Sequence, residues 1–215
     1  MSKYNNEQSL YCYPGTDVLK NKANIRDGAA LGEYELIMSL LRISQLREKP
    51  VTGNFDLAHL QSIHRYAFKD VYPFAGKLRT EGIAKDTFTF ALPQYIQEQA
   101  KDLFRQLKAE KKLSGLPAEK FAERAAHYMA EINVLHPFRE GNGRTQREFI
   151  RCLAHSNGYN LEWERTDPQL LLQASIRSIS HTDALTQHIH NCLVNKEPDP
   201  VVVREYKKNT QDLER

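Results

Sequence analysis

Twelve consecutive residues concentrate more chemistry than the rest of the chain: His136-Pro137-Phe138-Arg139-Glu140-Gly141-Asn142-Gly143-Arg144-Thr145-Gln146-Arg147. The stretch holds an imidazole, a carboxylate, an amide between two glycines, and three guanidiniums. His136 is its only group that takes up a proton near neutral pH, and so its candidate general base. Gly141 and Gly143 let the backbone turn sharply and approach a ligand closely. A helix starting there points its first N–H groups back at the loop, which makes an anion site suited to phosphate. Arg144 and Arg147 are three apart, share one face of the first turn, and can both fork onto phosphate oxygens. Two arginines so near a helix N-terminus oppose the helix dipole, a local cost that a bound anion offsets. Glu140 is an oxygen ligand beside the phosphate site, and Mg²⁺ is commonly held by one or two carboxylates plus the phosphates themselves. Base, metal ligand and phosphate cradle together point to transfer chemistry at phosphorus.

The flanking sequence supplies the elements that position these groups. Residues 118–135 place Phe121, Ala125, Tyr128, Met129 and Ile132 on one helical stripe, and residues 144–155 do the same with Phe149, Ile150, Leu153 and Ala154. The motif is therefore the loop of a helix–loop–helix. Asp27 caps a helix over residues 28–47 whose apolar positions are Leu31, Tyr34, Ile37, Met38, Leu41 and Ile43. Asp56 or Asn54 caps residues 57–68, a third long helix covers 93–112, and cap-plus-proline signals start another at Pro168. A last helix begins at Thr182 or Asp183. Between residues 78 and 92 the period changes to two, with Phe88, Phe90 and Leu92 alternating with Thr87, Thr89 and Ala91, which predicts a hairpin with its tip near Lys85, Asp86, Thr87 and Phe88. A lone hairpin must lean on the helices to persist. Residues 1–10 read as loose, and the charged residues 196–215 as a tail that frays.

The motif resembles the signature of the Fic family, His-x-Phe-x-(Asp/Glu)-Gly-Asn-Gly-Arg-x-x-Arg, at every fixed position. The resemblance extends to Tyr11-Cys12-Tyr13-Pro14, Leu19-Lys20-Asn21-Lys22, Ile63-His64, the run from Asp70 through Tyr72-Pro73-Phe74-Ala75-Gly76 to Arg79, and Ile132-Asn133, so it spans residues 11–195. It implies a mainly α fold, a helical bundle around the central helix–loop–helix with one β-hairpin flap. It also implies transfer of AMP from ATP to a Ser, Thr or Tyr hydroxyl of a protein, self-modification included, with release of pyrophosphate. In that reading His136 takes the proton of the attacking hydroxyl, Glu140 binds Mg²⁺, and Asn142 with the N–H groups of Gly141 and Gly143 forms the anion hole. Arg144 and Arg147 hold the outer phosphates, and Lys85, Asp86, Thr87 and Phe88 align the target by strand addition. Phe138 anchors the loop from beneath. Arg139 and Arg151 fall at unconstrained positions and read as surface.

Other branches of the family transfer UMP, a phosphoryl group or phosphocholine, and a silent binding module is the reading from a different class. The phosphorylating branch departs from the motif at the anion-hole glycine, which is intact here. Family members are commonly restrained by a glutamate within Ser/Thr-x-x-x-Glu-Gly/Asn that pairs with the second motif arginine, here Arg147. Ser44 to Glu48 is followed by Lys49 and Thr210 to Glu214 by Arg215, so neither copy is complete. Restraint is therefore expected from a small antitoxin chain in trans, with Glu35 as the weaker candidate in cis.

Composition bounds the rest. With 30 basic and 27 acidic residues the net charge is +3, too balanced for a nucleic-acid-binding face. Cys12, Cys152 and Cys192 have no metal-ligand spacing and read as reduced thiols, which with no apolar run long enough to span a bilayer and no leader suggests a cytoplasmic protein; delivery into another cell is left open. The seven histidines other than His136 read as structural.

Overall fold

The computed structural model describes residues 9–85 and 88–211. Its helices are α1 (Gly28–Glu48), α2 (Leu57–Phe68), α3 (Pro93–Ala109), α4 (Ala118–Leu135), α5 (Asn142–Ser156), α6 (Pro168–Arg177), α7 (Asp183–Cys192) and α8 (Pro200–Gln211). One antiparallel hairpin, β1 (Ala84–Lys85) and β2 (Phe88–Thr89), pairs Ala84 with Thr89 and Lys85 with Phe88. Phe90 extends it by donating its N–H to the Ile83 carbonyl (3.2 Å). The hairpin is much shorter than the alternating sequence run. Asp86 and Thr87, expected at its tip, lie outside the described residues.

α4 and α5 form the centre. Both predicted stripes are buried, Phe121, Ala125, Tyr128, Met129 and Ile132 on α4 and Phe149, Ile150, Leu153 and Ala154 on α5. α3 and α7 cover α4, while α2 and α8 cover α5. Asp27 and Asp56 cap α1 and α2 through bonds to Ala30 N–H and His59 N–H, and Asp167 caps α6 just before Pro168.

Three expectations are corrected. Within the 196–215 tail, residues 200–211 are helical rather than frayed, because Pro200 suits a first helical position and Tyr206 buries itself on α5. On α1, Ile37 and Leu41 are exposed, with Ile37 at 65%, whereas Ser39 is fully buried. The face that docks is the one carrying Ser39 and Glu35, which bond Arg144 of α5. Arg139 and Arg151 are buried, 3% and 5% exposed, rather than on the surface. Arg151 forks onto both oxygens of Glu148 (2.6 and 2.8 Å) and donates to the Leu46 carbonyl (3.0 Å), so its charge is compensated inside.

Candidate active site

The motif loop joins the C-terminus of α4 to the N-terminus of α5. His136 caps α4 in the left-handed region (φ 42°, ψ 60°), donating its backbone N–H to the Ile132 carbonyl (3.0 Å). Its ring Nδ1 lies 3.2 Å from the Asn133 carbonyl. A carbonyl only accepts, so Nδ1 carries the proton and Nε2 is the basic nitrogen. Phe90 stacks on the imidazole at 3.9 Å between centroids and forms one wall beside it. Phe88 meets Phe90 edge-on at 5.2 Å. The hairpin thus packs directly against the candidate base, with Lys85 paired to Phe88 in the register.

Inside the loop, Phe138 is buried and stacks on His64 at 3.9 Å. His64 accepts from Gly76 N–H at Nδ1 (2.7 Å), which leaves Nε2 to donate to the Glu140 carbonyl (2.9 Å). α2 therefore supports the motif from below, and no short sequence pattern pointed to that role. The Asn142 side chain closes the loop on itself. Its Oδ1 accepts from Phe138 N–H (3.0 Å) and its Nδ2 donates to the Phe138 carbonyl (2.7 Å). With the amide so engaged, Asn142 contributes loop shape, and its group at the start of α5 is the backbone N–H. No side chain caps α5, and Gly141 occupies the N-cap at φ 81°.

Glu140 is buried, with Oε1 accepting from Gly141 N–H (3.0 Å) and lying 4.0 Å from Arg144 Nη2. Among the described residues no group of three or more His, Cys, Asp or Glu could hold a metal ion. A cation at Glu140 would therefore complete its shell with ligand oxygens and water, which fits Mg²⁺ on a phosphate and not a metal caged by protein.

Arg144 Nη1 donates to Ser39 Oγ (2.7 Å), Nη2 is paired with Glu35, and the guanidinium lies over the Phe68 ring. Glu35 thus reaches the first motif arginine, whereas the family pattern pairs the restraining glutamate with the second. Arg147 is half-buried, and burial, then the neighbouring Arg144 charge, push its guanidinium below the ordinary value. A positive site under such strain favours an incoming anion. A cavity of about 460 Å³ opens beside Glu35, Glu140 and Arg139, with Tyr72 and the start of α1 as its walls.

Residues 54–154 match the family described as Fic/DOC. The chain is 42% identical over 181 residues to the probable protein adenylyltransferase y4lH of Sinorhizobium fredii, covering 84% of this chain and 93% of that relative. The chain belongs to the Fic/DOC family. This Fic domain is also 43% identical over 178 residues to the protein adenylyltransferase VbhT of Bartonella schoenbuchensis, covering 83% of its own length but only 37% of that relative. Among solved structures it is similar to BepC of Bartonella tribocorum with bound AMPPNP, at a TM-score of 0.79 and 26% identity, over 87% of this chain and 97% of that one. No helix among the described residues of this Fic domain is long and apolar enough to cross a membrane.

Buried histidines give the fold an acid limit. Burial pushes His59 and His155 down to about 4 from an ordinary 6.5, and the nearby Lys112 and Arg151 charges act in the same direction, partly opposed by the Val51 carbonyl and Asp56 at His59 and by Asn160 at His155. The unfolded chain then binds protons that the folded chain resists. Their contribution is complete above pH 6.5 and is lost as pH falls toward 4, at up to about 1.4 kcal/mol per pH unit for each histidine. Urea unfolding at pH 7 and pH 5 should show a drop at the lower pH to which these two contribute roughly 2–4 kcal/mol. Replacing both by Gln should remove that share and leave the part due to His64, which burial also pushes down to about 4.

Proposed function

We propose that this chain is a protein adenylyltransferase that moves AMP from ATP onto a Ser, Thr or Tyr hydroxyl of a protein and releases pyrophosphate. The observation that carries the reading is the placement of the imidazole, with its Nδ1 against the Asn133 carbonyl. A basic Nε2, fixed by the Nδ1 bond to Asn133, sits one loop away from an uncapped helix N-terminus bearing two arginines. That arrangement suits deprotonation of a hydroxyl attacking a phosphate held on α5. Arg144, Arg147 and the N–H groups of Asn142 and Gly143 serve the phosphates, while the Gly141 N–H, held by Glu140 Oε1, joins them once that carboxylate is drawn away by a cation. Little else is needed from the protein, because transfer at phosphorus depends mainly on positioning and charge neutralisation. Glu140 would hold Mg²⁺, which when bound neutralises phosphate charge. The names of the adenylyltransferase relatives and the AMPPNP-bound neighbour support ATP as the co-substrate. Lys85 and Phe88, with Asp86 and Thr87 between them, would align an extended target segment by backbone pairing.

The test uses ATP labelled at the α or the γ phosphate, incubated with the chain and a bacterial lysate. Label from the α position should enter protein and label from the γ position should not. Transfer of γ label would indicate phosphorylation instead, and no transfer of either label would indicate a binding module. Mass spectrometry of products formed with other nucleoside triphosphates reports whether UMP replaces AMP.

Restraint is expected in trans, from a small antitoxin chain, because residues 1–215 hold no complete glutamate motif. The weaker alternative is restraint in cis by Glu35, which occupies Arg144 and neutralises it. Glu35→Gln should free that charge and tighten ATP by about fivefold, the scale of a partly exposed ion pair near 1 kcal/mol. The measurement is the ATP KM for self-labelling. A weaker KM in the variant would mean that Glu35 holds Arg144 in its working position.

A further inference from the structure

Arg79 lies 57 residues before His136 and outside the motif, yet donates to its carbonyl from Nε (2.7 Å). Only 2% of it is exposed. Nη1 donates to the Glu81 carbonyl (2.8 Å), and Nη2 to the carbonyls of Leu135 (3.2 Å) and Ala91. Its backbone N–H adds a bond to the Pro137 carbonyl (2.9 Å). These acceptors belong to two bodies. Leu135, His136 and Pro137 are the end of α4 and the start of the motif loop. Glu81 and Ala91 are the two legs of the hairpin, just below β1 and β2.

We infer that Arg79 is a positioning residue that fixes the hairpin in register with His136. Three features support it. The last carbonyls of a helix lack intrahelical partners, and a cation there is favoured by the helix dipole. His136 holds a left-handed conformation that costs a β-carbon-bearing residue roughly 1–2 kcal/mol, and the Arg79 bond to its carbonyl helps keep it there. The leg held at Ala91 also carries Phe90, which stacks on the imidazole, and Ala91 N–H itself donates to the Val134 carbonyl (3.2 Å). A planar fork reaches all these carbonyls at once, and a lysine ammonium cannot. The inference rests on the proposed function, in which the hairpin presents the target hydroxyl to His136. A displacement of about 1 Å there can cost on the order of 10²-fold in rate.

The experiment compares Arg79→Lys, His136→Ala and the unaltered full chain. Four quantities are read: transfer of α-labelled ATP to lysate proteins, release of AMP with water as acceptor, affinity for a fluorescent ATP analogue, and amide exchange over residues 83–91 and 134–138. Arg79→Lys should lower protein labelling by about 10²-fold, keep nucleotide affinity within about threefold, and reduce AMP release to water far less. Exchange should quicken in the two segments and not within α5. Unchanged labelling or unchanged exchange in those segments overturns the inference, as does parallel loss of nucleotide affinity. If the unaltered chain transfers nothing, or His136→Ala transfers normally, the proposed function fails instead; the exchange result still reports whether Arg79 ties the segments together. Should Arg79→Lys lose its helical circular dichroism, Arg79→Gln replaces it. Failure of both to fold assigns Arg79 to general stability and overturns the inference.

Discussion

His136→Ala is expected to lower transfer of AMP to protein by about 10²–10⁴-fold while leaving ATP affinity within a few-fold of the original. The expectation follows from a division of labour within the loop. The imidazole stands at the end of α4, with Nδ1 on the Asn133 carbonyl and one face on Phe90. The groups assigned to the phosphates stand on α5 and reach it independently of that ring. Removing the ring deletes the base and the Phe90 stack, but it leaves Gly141, Arg144 and Arg147 where they are. Histidine tolerates the left-handed region somewhat better than alanine, but a several-fold preference adds no more than about 1 kcal/mol of backbone penalty at φ 42°. Single-turnover labelling with α-labelled ATP, paired with titration of a fluorescent analogue, separates the two functions. A variant that still labels at the original rate would remove His136 from the reaction. A variant that loses nucleotide binding and labelling together would make the ring a structural prop of the phosphate site.

How much of this could be read from residue order depends on the range of the interactions involved. The α4 and α5 stripes were legible because burial there follows a local period, and every residue of both predicted stripes is buried. The hairpin was legible as an alternation but overextended, since its legs pair with each other only from Ile83 to Lys85 and from Phe88 to Phe90, and below that are held by Arg79 and Val134. On α1 the stripe was drawn too wide: Leu31, Tyr34, Met38 and Ile43 pack inward, but Ile37 and Leu41 do not, because the docking face also includes Ser39, which bonds Arg144 and which an apolar-periodicity rule scores against burial. The burial of Arg151 has a local half, Glu148 three residues earlier, and a distant half, the Leu46 carbonyl. Asn142 illustrates a different limit. Its residue type suits an anion hole, yet its amide is committed to the Phe138 backbone at both ends. A motif singles out residue types and says less about which atoms of each remain available.

Gly141→Ala is expected to destabilise the fold by roughly 2–4 kcal/mol, combining a left-handed penalty with overpacking of the core. At φ 81° only glycine sits without strain. A Cβ there would lie 2.3 Å from Phe68 Cζ and 2.4 Å from Cε2, far inside contact distance. Phe68 has little freedom to yield. It is fully buried, its ring meets His64 at 4.8 Å and Tyr72 at 6.2 Å between centroids, and the Arg144 guanidinium covers it at 4.8 Å. The loop must move instead, carrying Glu140 and the first turn of α5 with it. Transfer activity should therefore fall together with ATP affinity, a pattern opposite to that of His136→Ala. Urea unfolding measures the stability change, and Phe68→Leu supplies the control, since a smaller side chain makes room for the added methyl. If the clash is the cause, the double variant will be at least about 1 kcal/mol more stable than the sum of the single changes predicts. Strict additivity, or a Gly141→Ala protein within about 0.5 kcal/mol of the original, would mean that the loop relaxes freely and that Phe68 does not set the position of the phosphate-binding turn.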